Sequence, residues 1–278
     1  MSQDKPVRTG QKKSDGYIMP VVVRAREYYL YDRHGVRYLD FYQNNGRAIL
    51  GHRPMGMQRA LKSTISRGLV AEYPSVFQER LEKLIAHVIP SHPFVRVYPD
   101  ERTLEDALRR MTGETALSPA DPAFGSIGKG TLLAYWRPYL GSCGEESAIL
   151  LPILPFPGSF TPKVVCVKDE KLAALAPPSG LCSPLLLDLL VKAVAVLRKA
   201  QEKEPLAWED PFDGAFGKPR GPYVDTGLDE AAYARFRSEV LDVRVVLPPV
   251  PSEPVIIPSA LNHGDVVALA SIALKYRR

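Results

Sequence analysis

Residues 29–41 read YLYDRHGVRYLDF, and this stretch decides the fold. Two runs rich in aromatic and branched residues, which are enriched in strands, flank a turn centred on His34 and Gly35. Because glycine adopts the backbone angles of tight turns without steric strain, the pattern predicts a β-hairpin. Residues 49–54 then read ILGHRP, and the segment 55–69 that follows is predicted to be helical.

The rest of the chain alternates predicted strands with predicted helices. Runs of branched and aromatic residues predict strands at 94–98, 132–136, 164–167, 243–247 and 255–257. Apolar residues at helical spacing predict helices at 77–89, 103–111, 229–240 and 264–276, and a further helix after Pro184. Thr103 and Asp106 are placed as a capping box for the second of these helices. Segments 113–130, 150–162 and 201–227 are predicted to be irregular, so the whole pattern indicates an α/β core.

Length and composition are those of a globular protein with one large domain or two closely packed ones. The chain has 278 residues, of which 45% are apolar and 24% are charged, and these proportions exclude a disordered chain or a fibre. Its 26 prolines predict short elements and rigid turns. The net charge is +5, from 36 basic and 31 acidic residues. Because this excess is spread along the sequence, no nucleic-acid binding is predicted.

The sequence indicates no membrane segment, metal site or reactive thiol. The amino-terminal residues are polar, and the most apolar stretch, 185–197, is interrupted by Asp188 and Lys192, so a cytoplasmic location is predicted. The five histidines show no metal-ligating spacing. The three cysteines are odd in number and lack CxxC spacing, which predicts reduced thiols, and Cys143, close to two glutamates, is predicted to be inert.

Two ordered motifs at the amino-terminal end carry a family resemblance. DxxGxxYLDF at residues 32–41 and LGHxP at residues 50–54 resemble the amino-terminal signature of class III pyridoxal-phosphate-dependent aminotransferases, and the resemblance is closest to glutamate-1-semialdehyde aminomutase. Residues 225–274 resemble the carboxy-terminal small domain of that family, whereas the middle of the chain follows it only in outline. The resemblance implies a shortened transferase fold type I, an α/β fold with a reduced large domain and a small α/β domain.

The same resemblance implies a division of the chain and an oligomeric state. The implied segments are a flexible arm (1–16), the amino-terminal part of the small domain (17–60), the reduced large domain (61–200), a connection (201–227) and the carboxy-terminal part of the small domain (228–278). Because dimers of this family bury their cofactor sites between subunits, a homodimer with twofold symmetry is implied.

The chemistry of this family needs four groups around pyridoxal phosphate. A lysine forms the Schiff base, an acid contacts the pyridine nitrogen, an aromatic side chain covers the ring, and backbone N–H groups at a helix start bind the phosphate. In place of the family's phosphate-binding turn this chain has Pro99, Asp100, Glu101 and Arg102. Proline removes a donor and the two carboxylates would repel a phosphate, so the phosphate site is predicted to be lost.

Three further elements of the family are missing. The position of the Schiff-base lysine falls near Leu154 or Pro155, where no lysine stands. The Asp-Glu-Val that supplies the partner of the pyridine nitrogen does not occur between residues 141 and 162. The turn that reaches the phosphate of the partner subunit is represented by residues 180–183, which lack its threonine. The comparison therefore implies that pyridoxal phosphate is not bound.

Two residues are predicted to be remnants of the cofactor site. Tyr139 stands where the ring-covering aromatic would lie, and Arg102 could still attract a phosphate. Three lysines could replace the missing one, Lys129, Lys163 and Lys168. The last two flank the strand predicted at 164–167 and are more simply interpreted as exposed charges.

The function implied is that of a degenerate, non-catalytic relative of the aminotransferases that acts as a binding or interaction protein. Loss of four groups that act on the same transition states removes catalysis, because their effects cannot be replaced one at a time. One alternative is an active pyridoxal-phosphate-dependent aminotransferase or aminomutase with a displaced lysine. Another is a small-molecule sensor that uses the remnant cleft around Tyr139.

Overall fold

The computed structural model describes residues 11–14, 17–115, 117–141, 144–156, 158, 161–203, 208–261 and 263–277. Its strands are β1 (Gln11–Ser14), β2 (Tyr17–Pro20), β3 (Val22–Arg26), β4 (Tyr29–Asp32), β5 (Arg37–Asp40), β6 (Phe94–Tyr98), β7 (Leu133–Trp136), β8 (Ile149–Pro152), β9 (Lys163–Val167), β10 (Tyr223–Val224), β11 (Val245–Val246) and β12 (Val255–Ile256). Its helices are α1 (Met57–Ser66), α2 (Val76–Val88), α3 (Glu101–Thr112), α4 (Glu170–Leu175), α5 (Pro184–Gln201), α6 (Glu230–Asp242) and α7 (His263–Leu274).

The larger of the two cores surrounds a four-stranded sheet with the order β6-β9-β8-β7. Strand β9 is antiparallel to both of its neighbours, and β7 is parallel to β8. Strands β6, β7 and β8 therefore run in one direction and end together at Tyr98, Trp136 and Pro152, beside Lys163 at the start of β9. We call this side of the sheet the carboxyl edge.

Helices cover both faces of this sheet because its strands alternate between two apolar surfaces. Val95 and Val97 of β6 face a core that includes side chains of α2 and α5, with α1 packed against it. Tyr98 and Val165 face the opposite core, which contains side chains of α3 and α4. The outcome is a three-layer arrangement, which agrees with the α/β core that the alternation of elements predicted.

Both ends of the chain contribute to a second core. Its sheet has the order β11-β5-β4-β3, in which β11, from the carboxy-terminal part, pairs in parallel with β5. Aromatic side chains of both ends meet there, including Phe41, Phe212 and Phe236. This is the reduced large domain and small α/β domain that the resemblance implied. The domain boundaries themselves stay predictions.

The motif that opened the sequence has a physical explanation in this sheet. Asp32 Oδ1 accepts hydrogen bonds from the backbone N–H groups of His34 (2.8 Å) and Val36 (2.9 Å), and Gly35 takes the left-handed conformation with φ +76°. These contacts close the predicted hairpin between β4 and β5. Further on, Asp40 Oδ2 lies 2.8 Å from His52 Nε2, so the DxxGxxYLDF and LGHxP motifs meet.

The structure differs from the sequence predictions in several places, among them β10, which lies in the segment 201–227 that was predicted to be irregular. Strand β8 falls in the segment 150–162 that was predicted to be irregular, because a short apolar strand in the middle of a sheet shows no alternation. Helix α3 begins at Glu101 and not at Thr103. Residues 11–14, assigned to a flexible arm, form β1 and pair with β2 through backbone hydrogen bonds, which polar composition does not prevent. The rest of that arm, 1–10 and 15–16, lies outside the described residues.

No helix within the described ranges combines the length and the apolar content needed to cross a lipid bilayer.

Candidate functional site

Ligands of open α/β sheets bind outside the carboxyl ends of the strands, so a site is expected at the carboxyl edge. The chain leaves β6 toward Asp100, β7 toward Arg137 and Tyr139, and β8 toward Leu154. The positions that correspond to the phosphate-binding turn, the ring-covering aromatic and the Schiff-base lysine of the aminotransferases therefore all lie at this edge. The turn at 180–183 does not.

The amino end of α3 is occupied by a carboxylate of the chain itself. Asp100 is the N-cap residue, and its Oδ1 accepts hydrogen bonds from the backbone N–H and the hydroxyl of Thr103, at 2.8 and 3.0 Å. The backbone N–H of Thr103, and then its hydroxyl, hold the pKa of Asp100 below its usual value. A helix amino end attracts anions. Here the Asp100 carboxylate already accepts one backbone N–H group of this end and adds a negative charge beside it.

This cap corrects the sequence prediction, which placed Thr103 and Asp106 as a capping box. Asp106 instead points along the exposed surface of α3, where its Oδ2 lies 3.0 Å from Nε of Arg110. Arg102, the predicted phosphate contact, is exposed on the first turn of the helix. Its assignment as a remnant stays a prediction.

The three candidate lysines lie at different ends of the sheet. Lys163 begins β9 at the carboxyl edge, where its Nζ donates to Gly158 O at 2.7 Å and lies 3.2 Å from Glu101 Oε2. The side chain is only 18% exposed, so its interpretation as an exposed charge was wrong. Lys168 follows the other end of β9, and Lys129 lies in the loop before β7, and both are exposed. Lys163 alone of the three could reach a ligand at this edge.

Buried apolar residues occupy the position that corresponds to the Schiff-base lysine of the aminotransferases. After β8 the chain runs through Ile153, Leu154, Pro155 and Phe156, all of which are buried. Leu154 is 4% exposed and belongs to the same core as the side chains of α2 and α5. A ligand at the carboxyl edge therefore meets no amine from this segment.

The carboxyl edge also contains a buried arginine, Arg137, that the sequence analysis did not identify. The side chain of Arg137 is 1% exposed, and its Nε and Nη2 donate to the two carboxylate oxygens of Asp121 at 2.7 and 2.6 Å. Nη2 also donates to Asn45 Oδ1 at 2.9 Å, and the guanidinium lies 5.3 Å from the centroid of the Tyr223 ring. The three partners fix Arg137 from three separate segments of the chain.

The charge of Arg137 is stabilised by these partners. Burial alone would lower the pKa of Arg137, but the hydrogen bonds and the charge of Asp121 outweigh burial and hold the pKa above its usual value. The arginine is therefore a fixed cation with its donors already committed to the protein. Such a group holds segments together and has little left to offer a ligand.

A second arginine at this edge is less committed. Arg47 is half-buried, and a Cβ atom on Gly158 would stand 2.5 Å from its Nε, so Arg47 lies directly against that residue. Burial holds the pKa of Arg47 below its usual value. Within the described part of the chain, no hydrogen bond or ion pair engages its guanidinium. Local sequence carried no signal for this residue, because its position depends on a contact more than a hundred residues away.

Tyr139, the predicted remnant of the ring-covering aromatic, lies after β7 with a backbone φ of +65°. Its ring is half-buried and packs edge to face on Trp208, with 5.5 Å between the centroids. Burial, with a smaller effect from Tyr28, raises the pKa of Tyr139 to about 12, so the phenol stays protonated. The structure places Tyr139 at the carboxyl edge, and its role in binding stays a prediction.

Residues 180–183 correspond to the turn that, in the aminotransferases, reaches the phosphate of the partner subunit. Here the start of this segment packs on its own chain. The backbone N–H of Gly180 donates to Val97 O at 2.9 Å, and a Cβ atom on Gly180 would stand 2.8 Å from Cδ of Pro99. Residues 179 and 180 thus cover the outer side of β6, which would otherwise be an unpaired sheet edge.

Thiol chemistry is not supported by the cysteines that the structure describes. Cys166 and Cys182 are fully buried. Burial raises the pKa of Cys166, and burial with the nearby charges of Glu72, Asp100 and Glu82 raises that of Cys182 to about 12. Cys143 lies outside the described residues. In the described ranges, no group of three or more histidine, cysteine or acidic residues could hold a metal ion.

We expect a Cys143→Ser variant to show no thiol that reacts with Ellman's reagent in the native state and two after unfolding in guanidinium chloride. A buried neutral thiol is a poor nucleophile and is shielded from the reagent. Absorbance of the released thiolate gives the count, and the wild-type chain, unfolded in the same way, serves as the control with three. A native variant that titrates one thiol rapidly would contradict the burial of Cys166 and Cys182.

Comparisons with known proteins agree with this fold and leave the activity open. No family model matches the chain. Glutamate-1-semialdehyde 2,1-aminomutase of Heliobacterium modesticaldum is 36% identical over 117 residues, which cover 41% of this chain and 26% of the enzyme. An uncharacterised Borreliella burgdorferi protein is 43% identical over 96 residues, covering 34% of this chain and 36% of that protein. An uncharacterised Treponema pallidum protein is 23% identical over 289 aligned residues, covering 87% of this chain and 90% of that protein.

Solved structures match over nearly the whole chain. Ornithine aminotransferase of Plasmodium yoelii superposes with a TM-score of 0.67 at 13% identity and covers 95% of each chain. An omega-transaminase of Sphaerobacter thermophilus superposes with a TM-score of 0.65 at 13% identity and covers 97% of this chain and 92% of its own. At this identity the likeness concerns the fold alone. The chain has the fold of the pyridoxal-phosphate-dependent aminotransferases, in a form reduced to 278 residues.

Proposed function

We propose that this protein is a non-catalytic relative of the aminotransferases that works as a binding or interaction protein. The observation that carries the proposal is the Asp100 carboxylate at the amino end of α3, where it accepts the hydrogen bonds that an anionic ligand would otherwise receive. The proposal includes a homodimer, as in the family that the sequence resembles, and a cytoplasmic location.

The residues at the carboxyl edge do not fit pyridoxal phosphate. The amino end of α3 carries Asp100, and Glu101 adds a second carboxylate beside it. The segment after β8 offers the buried, apolar Leu154 in place of an amine. The cation of Arg137 is already paired with Asp121. The end of α3 and the segment after β8 therefore supply neither the phosphate site nor the amine that pyridoxal phosphate needs.

One observation favours the alternative of an active enzyme with a displaced lysine. Lys163 lies at the carboxyl edge and is mostly buried, as a Schiff-base lysine would need to be. Its Nζ, however, is held by Gly158 O and by Glu101. Lys163 is therefore the residue on which the two functions can be separated by experiment.

We expect borohydride reduction of the protein mixed with pyridoxal phosphate to give scattered labelling, well below one pyridoxyl group per chain. A free lysine amine with a pKa of about 10.4 is mostly protonated at neutral pH and reacts weakly and without preference. Peptide mass mapping identifies the labelled lysines, and visible absorption before and after reduction reports any aldimine. Amino-acid transaminase, racemase and lyase assays of the same sample should be at background.

The variants Lys163→Ala and Lys168→Ala form a matched pair, because the two lysines stand at opposite ends of β9. Neither replacement should change the total label by more than the loss of one weak site. Stoichiometric labelling of wild-type protein that Lys163→Ala abolishes and Lys168→Ala preserves would overturn the non-catalytic proposal and establish a displaced lysine.

A further inference from the structure

A basic groove, separate from the carboxyl edge, runs between α1, α2 and α5. It has a volume of about 980 Å³, and none of the residues at the carboxyl edge lines it. Its apolar wall includes Met55, Phe77 and Val196, and its charged side chains come from all three helices and the residues next to them. The groove is therefore a feature of the helical layer, and it is open to a partner that never reaches the sheet.

The charges of the groove are strongly unbalanced. Among the described residues, six basic side chains line it and one acidic side chain, Asp188, does so. Asp188 is already used, because it accepts a hydrogen bond from Thr64 and lies 3.9 Å from Arg67. Within the described ranges, the other five basic side chains of the groove have no carboxylate partner. They are Arg59, Arg80, Lys192, Lys199 and Lys203.

The fold holds some of these cations close to one another. The guanidinium groups of Arg67 and Arg80 lie over the same ring of Phe77, at 5.4 and 5.8 Å from its centroid. Lys192 lies across the start of α1, where a Cβ atom on Gly56 would collide with it, and Gly56 has a φ of +86°. Like charges at such distances repel, and an anionic partner relieves the repulsion.

Sequence alone gave no sign of this groove. Its basic residues are spread from Arg59 to Lys203, and the excess charge was accordingly predicted to be dispersed. Packing of α1 and α2 on α5 brings them to one surface.

We propose that this groove binds an acidic, amphipathic segment of a partner protein. The carboxylates of the segment lie against the basic rim, and its apolar side chains cover the exposed Met55 and the half-buried Val196. A nucleic acid suits the groove less well. Phe77 is 3% exposed and two arginines already flank its ring, so no aromatic platform is left on which bases could stack.

This inference rests on the proposed function in one respect, because a protein that catalyses no reaction must function by binding other molecules. Experiment can still contradict the non-catalytic function and the binding role of the groove independently of each other. The labelling experiment above addresses the carboxyl edge, whereas the experiment below changes only exposed residues of the groove.

The test uses a fluorescein-labelled synthetic peptide with leucine and glutamate at helical spacing, titrated with the full chain and followed by fluorescence anisotropy. We expect saturable binding that weakens with added salt, because screening reduces attraction between exposed charges. Arg80→Glu with Lys199→Glu should weaken binding at least about tenfold, since two attractive contacts become repulsive. Lys171→Glu with Lys218→Glu makes the same change of net charge at exposed positions outside the groove and should leave affinity within about twofold.

Four results would overturn the proposal. The peptide could fail to bind, or the groove variant and the control variant could lose affinity equally. A single-stranded oligonucleotide could bind the groove more tightly than the peptide does. Light scattering could also show that Arg80→Glu with Lys199→Glu turns a dimer into a monomer, which would make the groove a contact between copies of this chain. Circular dichroism of both variants should match the wild type, because all four positions are exposed.

Discussion

Asp121→Ala is expected to lower the free energy of unfolding by about 3–5 kcal/mol, because it leaves a buried arginine without its counter-charge. The side chain of Arg137 is 1% exposed and its two hydrogen bonds to Asp121 are 2.7 and 2.6 Å long. Without Asp121, the guanidinium keeps its hydrogen bond to Asn45 and its contact with the ring of Tyr223. Equilibrium unfolding in urea, followed by circular dichroism, measures the difference.

Two further variants show whether the loss comes from the stranded charge. Arg137→Met combined with Asp121→Leu removes both charges and should recover most of the stability, because apolar replacements of a buried ion pair are often close to neutral. Asp106→Ala breaks the exposed pair with Arg110 and should cost only about 0.3–0.5 kcal/mol. If Asp121→Ala cost no more than Asp106→Ala, the buried pair would not be what joins these segments.

Much of the fold could be predicted from the sequence because its signals are local. The hairpin at 29–41 carries its own turn chemistry in Asp32 and Gly35, two residues that act within the turn itself. The strand predicted at 94–98 is found with the same bounds as β6, since its branched and aromatic residues alternate between two faces. Strand β8 escaped detection because Ile149 and Leu150 are both fully buried, so the segment has no polar face.

The candidate site was less predictable, because its contacts join distant parts of the chain. Arg137 meets Asp121 across 16 residues and Asn45 across 92, and nothing in the neighbourhood of any of the three indicates the others. The same holds for the basic groove, whose members are placed by helix packing. The cap at Asp100 was within reach of the sequence: an aspartate three residues before Thr103 fits the N-cap pattern, but the start of α3 was predicted too late.

Phe212→Ala is expected to lower the free energy of unfolding by about 3–5 kcal/mol, although it lies in the connection 201–227 that was predicted to be irregular. Its side chain is fully buried, and its ring packs edge to face on Phe41, Phe216 and Phe236, with centroids 5.3 to 6.1 Å apart. These contacts join the residue after β5, from the amino-terminal part of the chain, to α6 from the carboxy-terminal part. Removal of the ring leaves a cavity that the surrounding aromatic side chains fill only in part.

The matched control is Lys218→Ala, an exposed residue in the same connection, which should change the free energy of unfolding by no more than about 0.5 kcal/mol. Urea unfolding of the two variants, compared at an unchanged denaturant slope, separates lost packing from a change in the unfolded chain. If the connection were a loose linker, the two variants would unfold at the same urea concentration as the wild type. A large loss for Phe212→Ala alone means that a segment without regular secondary structure supplies the central side chain of the core that both chain ends build.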